Sequence, residues 1–225
     1  MTSVVSQRFK GALGRPFLAL TAALVVGCAS ESEFVVQGEA QGSTFVLRAY
    51  GDSLNLIESD VARWLADYNK AVSVWDPQSE LSRLNRGETL APSLILSDLL
   101  RMTEGIRVAT DSLVEPALEP VLRAWGFTAG TQLIPSTRGA QRDSVIVDSL
   151  MALVQWTAPE VTPDGTRLTH PINVNAFAQG HSVDLVLDSL RARGATAAFV
   201  EIGGEVRSFG LKPDGDAFKV GIEKP

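Results

Sequence analysis

The residues of this chain whose types and spacing could do chemistry gather in Pro171-Ile172-Asn173-Val174-Asn175-Ala176-Phe177-Ala178-Gln179-Gly180-His181. Asn173 and Asn175 stand where a helix start takes side-chain caps. Beyond them, Ala176, Phe177, Gly180, Val183, Asp184 and Leu187 recur at helical spacing. The N–H groups of a first helical turn lack partners within the helix, so they can seat an anion or phosphate. The same residues also read as an ordinary amphipathic helix entered from a buried strand. Gly180 costs a helix roughly 1 kcal/mol against alanine, which predicts that something packs close against that face. His170 and His181 are the whole supply of imidazole. A helical histidine such as His181 is more often a packed or capping side chain than a catalyst. No HExxH, P-loop, GxGxxG or GxSxG pattern occurs, so no catalytic residue is assigned.

Three more stretches carry groups suited to ligand contact. Gly38-Glu39-Ala40-Gln41-Gly42-Ser43 separates two strand-like runs, Phe34-Val35-Val36 and the residues from Ser43 to Tyr50. Its glycines serve either a plain hairpin turn or the close approach of a ligand to backbone. Trp75 precedes the Asp76-Pro77 turn, where its ring serves either the core or as a flat wall for an aromatic ligand. Leu113-Val114-Glu115-Pro116 leads to Pro120, and two prolines four residues apart argue for a shaped loop rather than one long helix.

The elements that must hold these groups follow from periodicity. A helix is expected over 53–72, with Ile57, Val61, Trp64, Leu65, Tyr68 and Val72 on one face and Asp52 or Ser53 as cap. Ser79 caps a short helix through Arg83, and a longer helix over 93–108 carries Leu96, Leu99, Leu100, Thr103 and Ile106. Residues 128–143 read as an exposed connection, followed by a helix reaching Trp156. Pro163-Asp164-Gly165-Thr166 reads as a turn between two short strands, the second running over 168–174 into the opening stretch. A buried strand is expected over 196–202. Gly203-Gly204 then reads as a bulge or as a place where backbone meets ligand, and a last core strand is expected over 218–225.

Composition narrows the class. At 225 residues, 45% hydrophobic and 20% charged, the chain can bury one sizeable core or two lobes. A net charge of −6 without a basic cluster speaks against nucleic acid or an anionic membrane surface as the main partner. Arg8, Lys10 and Arg15 precede a short apolar run from Phe17 to Val26 that ends at Gly27-Cys28. Such a run is shorter than a membrane span of about 20 residues and suits a signal peptide. Val25-Val26-Gly27-Cys28 resembles a bacterial lipobox, whose cysteine becomes the lipidated first residue. Residues 1–27 are therefore expected to be a leader, 28–33 a lipidated tether and 34–225 the folded domain. As the only cysteine, Cys28 excludes a disulfide within the chain.

Taken in order, the pieces resemble the ApbE flavin transferases, the FAD:protein FMN transferase family. Gly38 to Phe45 is similar to the family's G-x-x-M-G-T-x-Y opening, and residues 73–85 resemble S-x-W/Y-x-x-x-S-E-I/L-x-R-x-N. Leu113 to Pro120, with Trp125-Gly126-Phe127, is similar to A-F-D-x-T-x-x-P followed by W-G-F. Residues 172–184 resemble I-D-L-x-x-I/F-A-K-G-x-x-V-D. Val200 to Glu205 and Val220 to Pro225 resemble D-x-G-G-E/D and V-G-I-x-x-P. The family's T-S-G and H-x-I-D-P segments, and its metal-binding aspartates and threonine, have no counterpart here, so the chain is expected to be a C-terminally truncated copy.

The resemblance implies an α+β fold with mixed or antiparallel sheets and packed helices, an ApbE-like, T-fold-related architecture. It implies FAD as substrate, Mg²⁺, and transfer of FMN to a threonine of an acceptor flavoprotein with release of AMP. The acceptor would be exported, such as a respiratory-complex subunit, and the chain would be a lipoprotein facing the periplasm or cell exterior. By position, Gln41, Trp75, Leu113, Val114, Glu115, Asn173 and Gln179 fall where the family contacts FAD, and Ala176 where a backbone carbonyl ligates Mg²⁺. The chain departs from the family pattern with Gln41 for methionine, Glu115 and Asn173 for aspartate, and Gln179 for lysine. Three classes stay open: a flavin transferase, an FAD-binding lipoprotein without transfer activity, and a structural remnant.

Overall fold

The computed structural model describes residues 32–52, 54–56, 58–129, 144–162 and 164–221. The expected leader, Cys28, most of the tether, most of the 128–143 connection and residues 222–225 lie outside the described residues, as do Ser53, Ile57 and Pro163. The described residues form two compact units, one within 1–62 and 183–225 and one within 63–182.

The first unit is built on one antiparallel sheet. Strands β1 (Ser32–Ala40), β2 (Ser43–Gly51), β3 (Ala197–Ile202) and β4 (Glu205–Phe209) lie side by side in sequence order. Every pairing is antiparallel, so the expectation of mixed or antiparallel sheets resolves to the second form. Register and burial agree: Phe45 faces Ile202, Leu47 faces Val200 and Ala49 faces Ala198, and all six are buried. This period of two sends one side of β2 and of β3 into the core. Val183, Val186, Leu187 and Leu190, on the C-terminal half of helix α6 (Asn175–Ala192), supply further buried side chains of the same unit. The Arg191 guanidinium lies 4.3 Å from the ring centre of Phe209 on β4. Asp60, buried at the start of helix α1 (Glu58–Val72), accepts two hydrogen bonds from Arg193, at 3.2 and 3.4 Å.

Two-residue turns close both hairpins. Gln41 and Gly42 have φ of +54° and +75°, and Gly203 and Gly204 have +62° and +100°. Positive φ at both central residues matches the twist of the flanking strands. Ile202 pairs directly with Glu205, so Gly203-Gly204 makes a hairpin turn and not the expected bulge. The expected strand after Phe218 is not formed over its described part: residues 218–221 join no strand among the described residues. Phe218 instead packs its ring against Tyr50 and Phe199, at centroid distances of 6.2 and 5.8 Å. Those ring contacts satisfy an apolar side chain without a strand partner.

The second unit is helical. It holds most of α1, then α2 (Glu80–Asn85), α3 (Leu94–Ala109), a single 3-10 turn (Pro116–Leu118), α4 (Glu119–Ala124), α5 (Ser144–Met151) and the first turns of α6. Ser79 caps α2 with its hydroxyl, as its position predicts, and the Ser93 hydroxyl caps α3 in the same way. Val61, Leu65, Tyr68 and Val72 of α1 are all buried, as are Leu96, Leu99, Leu100 and Thr103 of α3, so helical spacing identified the core faces.

The ends of elements differ more. Helix α1 starts at Glu58, with Leu54, Asn55 and Leu56 non-helical before it. Helix α5 stops at Met151, and Trp156 beyond it donates its indole N–H to Glu104 and lies under Arg107. The pair of strands expected around Gly165 reduces to one bridge between Leu90 and Thr166. Residues 168–174 form no strand, because the backbone there bonds to the Asn85 side-chain amide and to the carbonyl of Pro116 in the 3-10 turn.

Candidate functional site

Hydrogen bonds of the helical unit join three of the stretches that the sequence singles out. Ser73 begins the first. Its hydroxyl accepts the N–H groups of Trp75 and Asp76, and its carbonyl accepts the hydroxyls of Ser79 and Ser82. This serine cluster folds residues 73–79 back on the start of α2 and leaves the Trp75 ring 58% exposed. Trp75 is therefore not a core residue. At the far end of α2, the Asn85 amide binds the backbone of Ile172 from both sides. Its Nδ2 donates to the Ile172 carbonyl at 2.8 Å, and its Oδ1 accepts the Ile172 N–H at 2.9 Å. One residue on, the Asn173 N–H donates to the carbonyl of Pro116 at 2.8 Å. Residues 73–85, 113–117 and 171–179 thus form one bonded assembly.

Leu113, 88% exposed, projects from the middle stretch. Asp111 and Ser112 before it have φ of +51° and +62°. Left-handed backbone at a residue with a Cβ costs roughly 1–2 kcal/mol. Strain of this kind persists where surrounding contacts enforce it, and it concentrates at functional loops. Here Thr110 closes the loop, its hydroxyl accepting the Val114 N–H. The Glu115 carboxylate is committed on both oxygens, one to Arg107 Nε at 2.7 Å and one to the Ala117 N–H at 3.0 Å. A ligand meeting this stretch therefore meets backbone and the Leu113 side chain rather than a free carboxylate.

Asn173 is 6% exposed. Its Oδ1 accepts the Asn175 N–H at 2.9 Å, which caps the first turn of α6. Its Nδ2 is buried and has no hydrogen-bond partner among the described residues. An unmatched buried donor costs about 1–3 kcal/mol. Ala176 is exposed on the first turn, and Gln179 is half-buried with no side-chain hydrogen bond among the described residues. Gln41 lies apart from this assembly in sequence, at the β1–β2 turn of the other unit.

Tyr68, expected on a buried helix face, and His181, expected as a packed or capping side chain, meet at the start of α6. Buried Tyr68 donates its hydroxyl proton to the Ala178 carbonyl at 2.7 Å and lies 3.1 Å from His181 Nδ1. Burial pushes the Tyr68 phenol far above its ordinary pKa, so it stays a neutral donor. With that proton on Ala178, the 3.1 Å contact requires His181 to donate from Nδ1. His181 is thus a packed, hydrogen-bonded side chain.

Asn85 was visible only as the last residue of a motif. Its spacing gave no sign of the backbone it would grip 87 positions away. The close contact expected at Gly180 is not found: a Cβ there would meet nothing within 4 Å.

The two implied groups differ in fit. For Mg²⁺, no group of three His, Cys, Asp or Glu side chains converges among the described residues. One Ala176 carbonyl does not make an octahedral oxygen shell. The described residues therefore do not fit the ion. For FAD the fit is better, since the uncommitted Asn173 donor and the exposed Trp75 face can serve an aromatic ring bearing acceptors.

Comparison with known proteins identifies the family and the fold. The sequence model described as the ApbE family matches residues 41–225. A curated FAD:protein FMN transferase of Vibrio cholerae is 29% identical over 220 residues, covering 90% of this chain and 62% of that protein. Another from Haemophilus influenzae is 26% identical over 222 residues, covering 89% of this chain and 62% of that protein. The chain thus spans 62% of the length of these curated relatives. Among solved structures, the flavin transferase ApbE from Vibrio cholerae superposes with a TM-score of 0.74 at 23% identity, covering 87% of this chain and 65% of that one. The apo Pseudomonas stutzeri flavinyl transferase ApbE gives 0.71 at 24%, with 87% and 64% covered. At these identities the superpositions establish a shared fold.

Two outcomes are expected from this geometry. Asn85→Ala strips both partners from the buried Ile172 backbone and should lower stability by about 2–3 kcal/mol in urea melts. An unchanged midpoint would show that the Asn85–Ile172 bonds are dispensable. Gly180→Ala should raise stability by roughly 0.5–1 kcal/mol, because the added methyl meets open space on a helix; a loss would mean that the face is covered.

Proposed function

The chain belongs to the ApbE family, and from that premise we propose that it transfers FMN from FAD to a threonine of an exported acceptor flavoprotein, releasing AMP in a Mg²⁺-dependent reaction. The curated relatives, each called an FAD:protein FMN transferase, support the transfer class. The observation that carries the reading to this chain is Asn173. A buried donor left without a protein partner, in a segment bonded to those bearing Trp75 and Leu113, is what an acceptor-rich flavin would satisfy.

In the proposed reaction the threonine Oγ forms a bond to the FMN phosphorus while the pyrophosphate bridge to AMP breaks. The hydroxyl proton passes to a base. The residues of this chain bind and orient: Trp75 offers a stacking face, the 113–115 stretch offers backbone edges, and Asn173 offers a directed amide proton. Gln41 and Gln179 are proposed FAD contacts as neutral amides, able to donate or accept without adding charge. Ala176 is proposed to give Mg²⁺ one carbonyl oxygen of a shell completed by other donors.

A second reading, FAD binding without transfer, gains support from Asn173 and Gln179, which are amides rather than charged groups. The test separates the two. Full-length chain, FAD, Mg²⁺ and a threonine-bearing acceptor domain should yield an acceptor band with in-gel flavin fluorescence. Bound FAD without that band or AMP release would favour the second reading, and absence of FAD binding would reject both.

We propose further that the chain is exported and lipid-anchored through Cys28, facing the periplasm or cell exterior. The run from Phe17 to Cys28 and the basic residues before it support this. Cys28→Ser should move the protein from the detergent phase to the aqueous phase on Triton X-114 partitioning. A wild-type chain already in the aqueous phase would refute the anchor.

A further inference from the structure

Arg107, in the last turn of α3, meets two other stretches of the helical unit. Its Nε donates to one Glu115 oxygen at 2.7 Å, and the second oxygen of that carboxylate accepts the Ala117 N–H. Its guanidinium lies 5.9 Å from the ring centre of Trp156, within reach of a cation–π contact. The Trp156 indole is held in turn by donating its N–H to Glu104, on the same helix as Arg107. The Arg107 carbonyl also accepts the Ser112 N–H at 2.8 Å. One residue thus holds the 111–115 loop at both ends. It does so by main chain where the left-handed Asp111 and Ser112 begin the loop, and by side chain where Glu115 ends it. Left-handed backbone at residues with a Cβ stores strain, which relaxes when a restraint is cut. The Ser112 bond survives any change of side chain at 107, whereas the Glu115 bond does not.

We infer that Arg107 is a positioning residue, acting through Glu115 to hold the 113–115 stretch in the pose that meets FAD, and that Trp156 acts through Arg107 by keeping its guanidinium beside Glu115. The inference rests on the flavin reading above. Arginine suits this place because its planar group accepts a ring against its face while an edge N–H bonds a carboxylate, and lysine cannot do both. A loop freed at its exit spends part of its time out of the binding pose. FAD affinity then falls by the inverse of the fraction that keeps the pose. Trp156 lies beyond α5, so this link makes a segment outside the bonded assembly count toward ligand affinity.

The experiment titrates the full 225-residue chain with FAD by calorimetry, beside Arg107→Gln, Trp156→Phe, Trp156→Ala and the double variant Arg107→Gln/Trp156→Ala. Calorimetry separates positioning from mere support of the fold. A weakened fold lowers the number of sites per chain, whereas a displaced loop raises Kd at an unchanged number. Arg107→Gln should raise Kd about 10-fold at the wild-type site number. Trp156→Ala should raise it about 3- to 10-fold, and Trp156→Phe, which keeps a ring for the guanidinium, should restore most of that loss. The double variant should bind no more weakly than Arg107→Gln alone, because Trp156 then has nothing to act through. In ligand-free Arg107→Gln, the amides of Ser112 and Val114 should exchange faster while those of β2 and β3 keep their rates. A wild-type Kd in Arg107→Gln, or fewer sites with Kd unchanged, would overturn the inference and leave the flavin reading standing. Losses that add in the double variant would separate Trp156 from Arg107 and also overturn it. If Arg107→Gln does not fold, the Trp156 variants decide, since they leave Arg107 in place: a wild-type Kd in Trp156→Ala would overturn the inference. Failure of the wild-type chain to bind FAD would reject the flavin reading, and this inference with it.

Discussion

The bonds from Asn85 to the backbone of Ile172 are what the helical unit depends on. Segment 168–174 is buried at Leu168, Ile172, Asn173 and Val174, yet it belongs to no sheet. Buried peptide groups need partners, and a segment outside a ladder must find them in side chains or loops. Asn85 gives Ile172 the donor and acceptor that a neighbouring strand would have given. Pro116 accepts the next N–H, and Asn173 caps the helix that follows. Helix α6 is thereby launched from a fixed point, and with it Ala176 and Gln179.

The candidate site stands on that fixed point, and its cost is visible at two places. Asp111 and Ser112 hold left-handed backbone before Leu113, and Asn173 keeps a buried donor without a protein partner. Neither aids folding, and both fall within the bonded assembly of three segments. Each amounts to a few kcal/mol at most, comparable with much of a domain's net stability. Such features persist where a ligand or reaction gives something back. The Tyr68–Ala178 bond acts in the opposite sense, adding a buried neutral hydrogen bond that fixes the first turns of α6.

Most of the fold was legible because two local signals were strong. Runs rich in β-branched and apolar residues over 43–50 and 196–202 marked two strands, and spacing in α1 and α3 named their buried faces. Where the reading failed, a long-range partner had replaced the local one. The strand expected over 168–174 was apolar enough, but its backbone is held by Asn85 and Pro116. The expected bulge at Gly203-Gly204 became a turn because β4 folds straight back on β3. At Gly180 an inference from helix propensity met open space.

The sequence by itself determined the α+β character, the family and the residues worth watching, since residue types, local periodicity and motif order are properties of the chain alone. Tertiary structure decided which polar atoms remained available. Glu115 falls at an FAD-contact position by resemblance, but Arg107 and the Ala117 N–H occupy its carboxylate. Asn173 looked like a simple helix cap, but only one end of its amide is used. Hydrogen-bond satisfaction depends on groups brought together by folding, and no spacing rule along the chain encodes it.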